Sequence, residues 1–245
     1  MSIIGVIPCR YQSVRLPGKP LALINGKPMM WHVYQRAIES NVLDEIIIAT
    51  DDYRIMDEAK RLNLTVLMTD ENHESGTDRV AEVAKKMEAD FFINIQGDEP
   101  LIDPNAIKIV AKSIKECQDP NVLASNAYSN INNADDINDA NVVKVIINNS
   151  SLAMAYSRLG IPYPQSGSSK YLKQLGLYGF TKKGLEVFSS RKSGPLENSE
   201  RVEMFRFIEH GFGVLMVPTN DDSISVDTEA DLHKVRKIFG ESFEI

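Results

Sequence analysis

The chain has 245 residues, 43% of them hydrophobic and 25% charged, which is the usual composition of a globular protein with one substantial core. Its net charge of −7 argues against nucleic acid as a partner, because sequence-independent binding needs a basic face. We find no apolar run near the roughly 20 residues that span a bilayer, no visible signal peptide and no metal or redox cysteine motif. We therefore expect one cytoplasmic domain, residues 1–245, with no nucleic acid or membrane partner.

The first half of the sequence alternates between strand and helix patterns. Strands are predicted at residues 3–7, 45–49, 65–68 and 91–95, and helices at residues 29–39, 54–62, 78–87 and 105–115. This alternation predicts an α/β fold with a doubly wound, mostly parallel sheet and helices on both faces. Ligands of such sheets bind beyond the carboxyl ends of the strands.

The middle of the chain, residues 122–181, has a different pattern. Short strands are predicted at residues 122–128, 142–147, 153–156 and 175–181, with Asn-, Asp-, Ser- and Gly-rich loops at residues 129–141 and 165–169. We interpret this part as an inserted antiparallel strand region that forms a lid, a dimer surface, or both. Helices at residues 184–190, 200–210 and 229–239 and a strand at residues 214–217 complete the prediction.

The most informative segment is the loop after the first strand, residues 10–20, which we call the cationic loop. It carries Arg10, Arg15 and Lys19 around Ser13, with two prolines that stiffen the backbone. Guanidinium groups donate two parallel hydrogen bonds to phosphate oxygens, and an ammonium group adds a point charge, so the loop suits a polyphosphate. The sequence matches neither common glycine-rich phosphate loop. A basic surface turn is the structural alternative.

Acidic residues follow two later strands. Asp98 ends the fourth predicted strand in the turn Gln96-Gly97-Asp98, and Asp227 precedes the last helix. Mg²⁺ prefers oxygen ligands and keeps several waters, so one or two carboxylates are enough to hold it. We predict that Asp98 and Asp227 hold Mg²⁺, with a helix-capping role as the alternative for Asp227.

Two further segments are expected near a nucleotide. Residues 73–79 form a loop leading into a helix, where hydroxyl groups and Gly76 can approach a base or ribose, while Asp78 and Arg79 can also serve as first-turn structure. Arg158 follows a strand of the insert and is either a contact for an acidic substrate or a surface residue.

The ordered motifs together resemble the CMP-Kdo synthetase family, the 3-deoxy-manno-octulosonate cytidylyltransferases. They are I-P-x-R-x-x-S-x-R-L-P-G-K-P-L at 7–21, A-T-D at 49–51, E-S-G-T-D-R at 74–79, Q-G-D-E-P at 96–100, Y-S-R at 156–158, G-L-Y-G at 176–179 and V-D-T at 226–228. The resemblance implies a Rossmann-like nucleotidyltransferase fold and Mg²⁺-dependent transfer of CMP from CTP to an acidic sugar, with release of pyrophosphate. It also implies a homodimer formed through the inserted strands.

The motifs and the resemblance together predict the residues of the site. Catalytic residues are predicted to be Arg10, Lys19, Gln96, Asp98 and Asp227. The predicted nucleotide contacts are Pro8, Arg10, Ser13, Arg15, Lys19, Ala49, Thr50, Asp51, Ser75, Gly76, Thr77, Arg79, Gln96 and Gly97. The predicted acceptor contacts are Arg10, Gln96, Arg158, Gln174, Tyr178, Glu203 and Met204.

Two positions depart from the family pattern. The family's histidine before L-G-x-Y-G-Y is Gln174 here, and the glutamine of its E-Q-L-R motif is Met204. The resemblance implies Kdo or a close relative as the acceptor. Because both positions contact the sugar acid in the family, these two departures keep another ulosonic or nonulosonic acid, a phosphonate or a phosphate compound as alternatives. A nucleotide-binding regulatory protein without turnover is a competing hypothesis, against which Asp98, Asp227 and Lys19 argue.

Overall fold

The computed structural model describes residues 1–13, 15–165, 169–221 and 223–240. The strands within these residues are β1 (Ile3–Cys9), β2 (Leu23–Ile24), β3 (Lys27–Pro28), β4 (Glu45–Thr50), β5 (Val66–Met68), β6 (Phe91–Ile95), β7 (Val122–Asn130), β8 (Lys144–Ile147), β9 (Ala153–Ser157), β10 (Leu172–Thr181) and β11 (Gly213–Pro218). The helices are α1 (Met29–Glu39), α2 (Tyr53–Arg61), α3 (Gly76–Lys86), α4 (Pro104–Glu116), α5 (Asp135–Asn138), α6 (Lys182–Ser190), α7 (Pro195–Glu200), α8 (Phe205–Glu209) and α9 (Glu229–Ile238).

One sheet of nine strands organises the described part of the chain. Its main path runs β11-β7-β10-β6-β1-β4-β5, and β1 pairs in parallel with both β4 and β6. The long strand β10 is antiparallel to its neighbours β6 and β7, and β8 and β9 extend the sheet beside it as an antiparallel pair. The predicted α/β fold, mostly parallel with an inserted antiparallel region, is confirmed.

Helices cover both faces of this sheet because the buried strands are apolar on both sides. On one face α1, α2 and α4 pack against residues such as Ile7 and Ile93. On the other face α3, α6 and α8 pack against Phe92 and Phe180. None of the helices in the described residues is long and apolar enough to cross a membrane.

The start of α3 is fixed at the carboxyl edge of the sheet by a capping box. The Ser75 hydroxyl oxygen accepts a hydrogen bond from the amide of Asp78 at 3.1 Å, and the Asp78 carboxylate accepts one from the amide of Ser75 at 3.0 Å. Each bond satisfies an amide that the helix itself leaves unpaired. The residues that precede α3 are therefore held beside the ends of β1 and β6.

The predicted helix over residues 200–210 is wrong. The helix α7 ends at Glu200 because Arg201 adopts a left-handed conformation, with φ 56° and ψ 45°, and its amide bonds to the carbonyl of Glu197. A separate short helix, α8, begins at Phe205. The interruption places residues 201–204 in an irregular segment instead of on a helix face.

Other local predictions need smaller corrections. The loop predicted at residues 129–141 contains the short helix α5, and residues 166–168 of the second predicted loop lie outside the described residues. The hairpin β2–β3 was not predicted, although its turn Asn25-Gly26 has the positive φ angles, 46° and 72°, that this dipeptide favours. Helix α9 docks through Leu232 and Val235 into a small core that includes this hairpin.

Candidate active site

The carboxyl ends of β1 and β6 and the start of α3 meet at one edge of the sheet and enclose a pocket of about 340 Å³. Several segments that are far apart in sequence contribute its walls. The lining residues are Pro8, Arg10, Gln12, Ser13, Lys19, Pro20, Glu74, Ser75, Gly76, Gln96, Gly97, Asp98 and Glu203. Most of them belong to the predicted site, and the pocket lies where parallel α/β sheets bind ligands.

Gly97 holds the turn after β6 directly against β1. A Cβ atom at this position would lie 2.5 Å from the carbonyl oxygen of Pro8 and 2.9 Å from Sγ of Cys9, so no larger residue fits without a shift of the backbone. This close packing fixes Gln96 and Asp98, on either side of Gly97, at the pocket.

Lys19 connects the cationic loop to two carboxylates. The residue begins a 3₁₀ turn after Gly18, whose φ of 70° reverses the chain. Its Nζ atom lies 2.5 Å from Oδ2 of Asp98 and 3.2 Å from Oδ1 of Asp227. Burial alone would lower the pKa of Lys19, but the two carboxylates raise it above its ordinary value. The ammonium group of Lys19 is therefore charged and contacts the carboxylates of both Asp98 and Asp227.

The two carboxylates are also joined through the backbone. The amide of Val226, next to Asp227, donates a hydrogen bond to the carbonyl oxygen of Asp98 at 2.9 Å. Arg15 reaches Oδ2 of Asp227 at 3.1 Å, although both side chains are largely exposed. The segment before α9 is thus held against the turn after β6, so Asp98 and Asp227 lie close together despite their separation in sequence.

Asp98 and Asp227 fit a magnesium ion. The described residues contain no group of three or more His, Cys, Asp and Glu side chains able to hold a metal. Mg²⁺ does not need such a group, because it is typically bound by one or two carboxylates together with substrate phosphates and water. The convergence of two carboxylate oxygens on a single ammonium group supplies a matching donor set.

Arg10 crosses the pocket from the end of β1 to the segment before α3. Its Nη2 atom donates to the carbonyl oxygen of His73, and a second, longer contact of 3.4 Å reaches the carbonyl of Ser75. Burial, followed by the charge of Arg79, lowers the pKa of Arg10. The guanidinium lies on the pocket wall, where it can meet an anionic ligand.

Several predicted nucleotide contacts lie behind the pocket instead of on its surface. The side chain of Arg79 is fully buried and binds Asp51, with further hydrogen bonds to Oγ1 of Thr69 at 2.6 Å and the carbonyl of Asp70 at 3.1 Å. Three others have no exposed surface: Ala49, Thr50 and Thr77. We interpret this group as the support that shapes the pocket.

Among the predicted acceptor contacts, Glu203 lines the pocket. Burial raises the pKa of Glu203, and hydrogen bonds from Thr77 and Ser75 partly oppose that effect. Tyr178 and Gln174 form a neighbouring pair on β10, in which Nε2 of Gln174 donates to the Tyr178 hydroxyl oxygen at 3.4 Å. The Oε1 atom of Gln174 is buried and has no hydrogen-bond partner.

Two predicted acceptor contacts lie away from the pocket in this structure. Met204 is 0% exposed and packs in the apolar core, because the segment before α8 turns its side chain inward. Arg158 donates to the carbonyl oxygens of Glu200 and Ala140, both at 2.7 Å, and does not line the pocket. Neither side chain is placed to touch a ligand in the pocket.

The pocket also contains residues that the sequence analysis did not select, namely Gln12, Pro20 and Glu74. Gln12 and Pro20 belong to the cationic loop, and Glu74 opens the motif that continues with Ser75. These three residues are close in sequence to predicted site residues, and that closeness was the only sequence feature that pointed to them. Which side of a loop faces a ligand depends on the folded backbone.

Comparison with known proteins shows the family to which the chain belongs. A family model described as cytidylyltransferase matches residues 4–218. The chain belongs to the cytidylyltransferase family. A cytidylyltransferase is an enzyme of the nucleotidyltransferase class, and the pocket at the carboxyl edge of the sheet agrees with that assignment.

Two curated relatives show which cytidylyltransferases this chain resembles. The 3-deoxy-manno-octulosonate cytidylyltransferase of Solibacter usitatus is 44% identical over 239 residues, covering 97% of this cytidylyltransferase and 94% of the relative. The protein of the same name from Syntrophobacter fumaroxidans is 40% identical over 241 residues, with 96% of each chain covered. The family resemblance indicated by the sequence motifs is confirmed.

A solved structure agrees with this result. It is described as CMP:2-keto-3-deoxy-manno-octonic acid synthetase complexed with CTP, and it matches with a TM-score of 0.92 at 36% identity. The match covers 98% of this cytidylyltransferase and 99% of that chain. The fold is therefore shared over nearly the full length of both proteins.

Proposed function

We propose that this cytidylyltransferase transfers CMP from CTP to 3-deoxy-manno-octulosonate or a closely related acidic sugar, in the cytoplasm, and releases pyrophosphate in a Mg²⁺-dependent reaction. The observation that carries the proposal is the convergence of Lys19, Asp98 and Asp227 beside the pocket. The names of the curated relatives and the CTP in the solved structure support the choice of substrates.

Asp98 and Asp227 are the residues that would hold Mg²⁺, and the ion would neutralise charge on the transferred and leaving phosphates. Lys19 would then donate to phosphate oxygens in place of the carboxylates that it contacts in this structure. Arg10 faces the same pocket and adds a second fixed cation. Preorganised positive charge of this kind stabilises the transition state of phosphoryl chemistry.

The proposed reaction is a displacement at the α-phosphorus of CTP. The anomeric hydroxyl oxygen of the acceptor forms a bond to that phosphorus and loses its proton to solvent, and the bond to the bridging oxygen of pyrophosphate breaks. Gln96 lies at the end of β6 beside Asp98, where its amide can orient the attacking group. Lys19 and Arg10 stabilise the charge that accumulates on the departing pyrophosphate.

We assign the acceptor to the side of the pocket that carries Glu203. A carboxylate beside a triphosphate would be repelled, whereas sugar hydroxyl groups can donate hydrogen bonds to it. The Gln174–Tyr178 pair lies on β10 near this side. The unpartnered Oε1 atom of Gln174 can accept a hydrogen bond from a hydroxyl group of the acceptor. Because this position departs from the family pattern, a related ulosonic or nonulosonic acid is the second candidate.

We further propose a homodimer formed through the inserted strand region. Three large apolar side chains on β9 and the segment after it are strongly exposed: Met154 at 58%, Leu159 at 76% and Tyr163 at 83%. Contiguous exposed apolar patches mark association surfaces, and we propose that these three side chains belong to one. Light scattering should give a dimer mass for the wild type and a monomer mass for the Met154→Glu/Leu159→Glu variant. A monomeric wild type would contradict this part of the proposal.

A product assay tests the reaction. Purified protein is incubated with Mg²⁺, each of the four nucleoside triphosphates and a panel of acidic sugars, and pyrophosphate and the CMP-sugar are measured separately. We expect turnover with CTP and an eight-carbon or nine-carbon ulosonic acid, and its loss when a chelator removes the metal. Comparable turnover with UTP or ATP, or none with any acidic sugar, would contradict the proposal.

A further inference from the structure

A buried ion pair outside the pocket holds the segment that carries Glu203. The Nε atom of Arg206 lies 2.8 Å and 3.1 Å from the two carboxylate oxygens of Glu197, and Nη1 donates to the carbonyl of Phe188 at 3.1 Å. The guanidinium also lies 3.9 Å from the centroid of the Phe188 ring. Only 12% of the Arg206 side chain is exposed, so this pair is largely shielded from solvent.

A second set of contacts joins α7 and α8, and here α8 supplies the carboxylate and α7 the donors. The Glu209 carboxylate near the end of α8 accepts hydrogen bonds from the amides of Leu196 and Glu197, at 2.9 Å and 3.1 Å, in the first turn of α7. A Cβ atom at Gly194 would collide with that carboxylate. The two helices thus form a rigid unit, with the irregular segment 201–204 between them.

Arg206 connects this unit to the pocket by two routes. Its amide donates to the carbonyl of Glu203 at 3.0 Å, which fixes the backbone of a lining residue. Its Nη1 atom lies 3.9 Å from Oδ1 of Asp78, whose other carboxylate oxygen accepts from the Ser75 hydroxyl at 2.8 Å. Ser75 also lines the pocket, so both routes end on the same wall.

We propose that Arg206 is a positioning residue for the acceptor: it does not touch the substrate but sets the place of Glu203 through its ion pair with Glu197. The proposal rests on the function proposed above, in which Glu203 faces the acceptor. Arginine is needed because it binds a carboxylate with two parallel bonds while it stacks on a ring, which lysine cannot reproduce. Asp78 keeps its capping bonds to Ser75 without Arg206, so the nucleotide side should change less.

The test is the comparison of two KM values in Arg206→Lys. We expect the KM for the acceptor to rise by about tenfold or more, which corresponds to about 1.4 kcal/mol. The KM for CTP should stay within about threefold, since Arg10, Lys19 and Asp98 do not contact Arg206. Arg191→Lys, a change of the same chemistry at an exposed site, should leave both values unchanged.

Glu197→Gln is the second variant, because it keeps the shape of the pair and removes its charge. It should show the same unequal change of the two KM values, and thermal unfolding establishes that each variant is folded. Equal changes in both KM values, or an unchanged acceptor KM in the folded variants, would overturn the role of Arg206. A wild-type enzyme without CTP-dependent turnover would instead contradict the proposed function, and this inference with it.

Discussion

The ammonium group of Lys19 and the carboxylate of Asp98 are 2.5 Å apart, and this contact joins the cationic loop to the end of β6. Asp227 lies on the same ammonium group at 3.2 Å. The Lys19 ammonium group, together with Arg15 at Oδ2 of Asp227, therefore neutralises two carboxylates at the place where we expect a divalent cation. Lys19 would compete with Mg²⁺ for the carboxylates and, in the proposed reaction, would be released toward the triphosphate.

Asp98→Asn and Asp227→Asn should each nearly abolish turnover while the protein stays folded. A neutral amide oxygen cannot balance the cation that stabilises the departing pyrophosphate. The double variant should lose little more than either single variant, because residues that act on one metal work as a unit. Steady-state rates over a Mg²⁺ titration provide the measurement.

The matched control for these two changes is Asp103→Asn. Asp103 caps α4 through a hydrogen bond from the amide of Asn105 at 2.9 Å, a role that asparagine also performs. The Asp103→Asn variant should retain the wild-type activity. If Asp98→Asn or Asp227→Asn keeps most of the wild-type rate, that residue is structural and not a metal ligand.

Lys19→Ala should lower kcat by about a hundredfold or more, the effect of removing one preorganised donor from a developing oxyanion. The side chain is 14% exposed, so the change also leaves Asp98 without its ammonium partner and Asp227 with only the exposed Arg15. We therefore expect a lower melting temperature that is partly restored by Mg²⁺. Lys112→Ala, on the exposed face of α4, should alter neither quantity. Full activity in Lys19→Ala would show that the cationic loop has another purpose.

The positions of these charged residues were accessible from the sequence for a simple reason. Apolar runs at β1 and β6 identified parallel strands, and the carboxyl ends of such strands lie at the same edge of a sheet. Lys19 lies in the loop after β1 and Asp98 in the turn after β6, so their proximity was an expectation of topology. The roles predicted for them stay predictions until the variants are measured.

Residues 195–209 show where sequence reasoning failed. The helical spacing of apolar residues predicted one helix over residues 200–210, but Arg201 adopts a left-handed conformation that only the surrounding packing selects. That break also decides the direction of the Met204 side chain, which lies in the core. The pairs Arg206–Glu197 and Arg79–Asp51 depend in the same way on tertiary contacts, which local patterns do not encode.

Gln174→His should improve the use of Kdo relative to other ulosonic and nonulosonic acids by about tenfold, the value of one recovered buried hydrogen bond. Met204→Gln should behave differently, because an amide in the apolar core costs about 1–3 kcal/mol of stability without reaching the pocket. The measurements are kcat/KM for Kdo and for competing acids, with urea unfolding of both variants. Efficient use of Kdo by the wild type, unchanged in Gln174→His, would mean that Gln174 does not select the acceptor.

Glu82 should make stability depend on pH in the acid range. Burial raises its pKa, but hydrogen bonds from Lys86 at 2.6 Å, the amide of Asp70 at 2.9 Å and His73 at 2.6 Å outweigh this effect and lower the pKa to about 2. A carboxyl whose pKa is lower in the folded state stabilises the fold above its unfolded pKa of 4.5 and loses that contribution as the pH falls toward 2.

Glu82→Gln should therefore be less stable than the wild type by about 1–3 kcal/mol at pH 7, with the difference shrinking steadily below pH 4.5. Urea unfolding at pH 7, 5 and 3 measures this change. Glu88→Gln is the control, because Glu88 is 96% exposed and should show almost no difference at any pH. A constant difference between Glu82→Gln and the wild type from pH 7 to pH 3 would contradict the ionic origin of the effect.

The hydrogen bond between Val226 and Asp98 has a consequence for how the enzyme becomes active during synthesis. The ribosome releases β1, the cationic loop and β6 early, and N-terminal structure can form while translation continues. Asp227 follows Asp98 far along the chain, so the carboxylate pair cannot form until residue 227 has left the ribosome. A chain that stalls before that point would carry Arg10, Lys19 and Asp98 but not Asp227. In the proposed mechanism such chains would not turn over CTP, because they lack the second carboxylate.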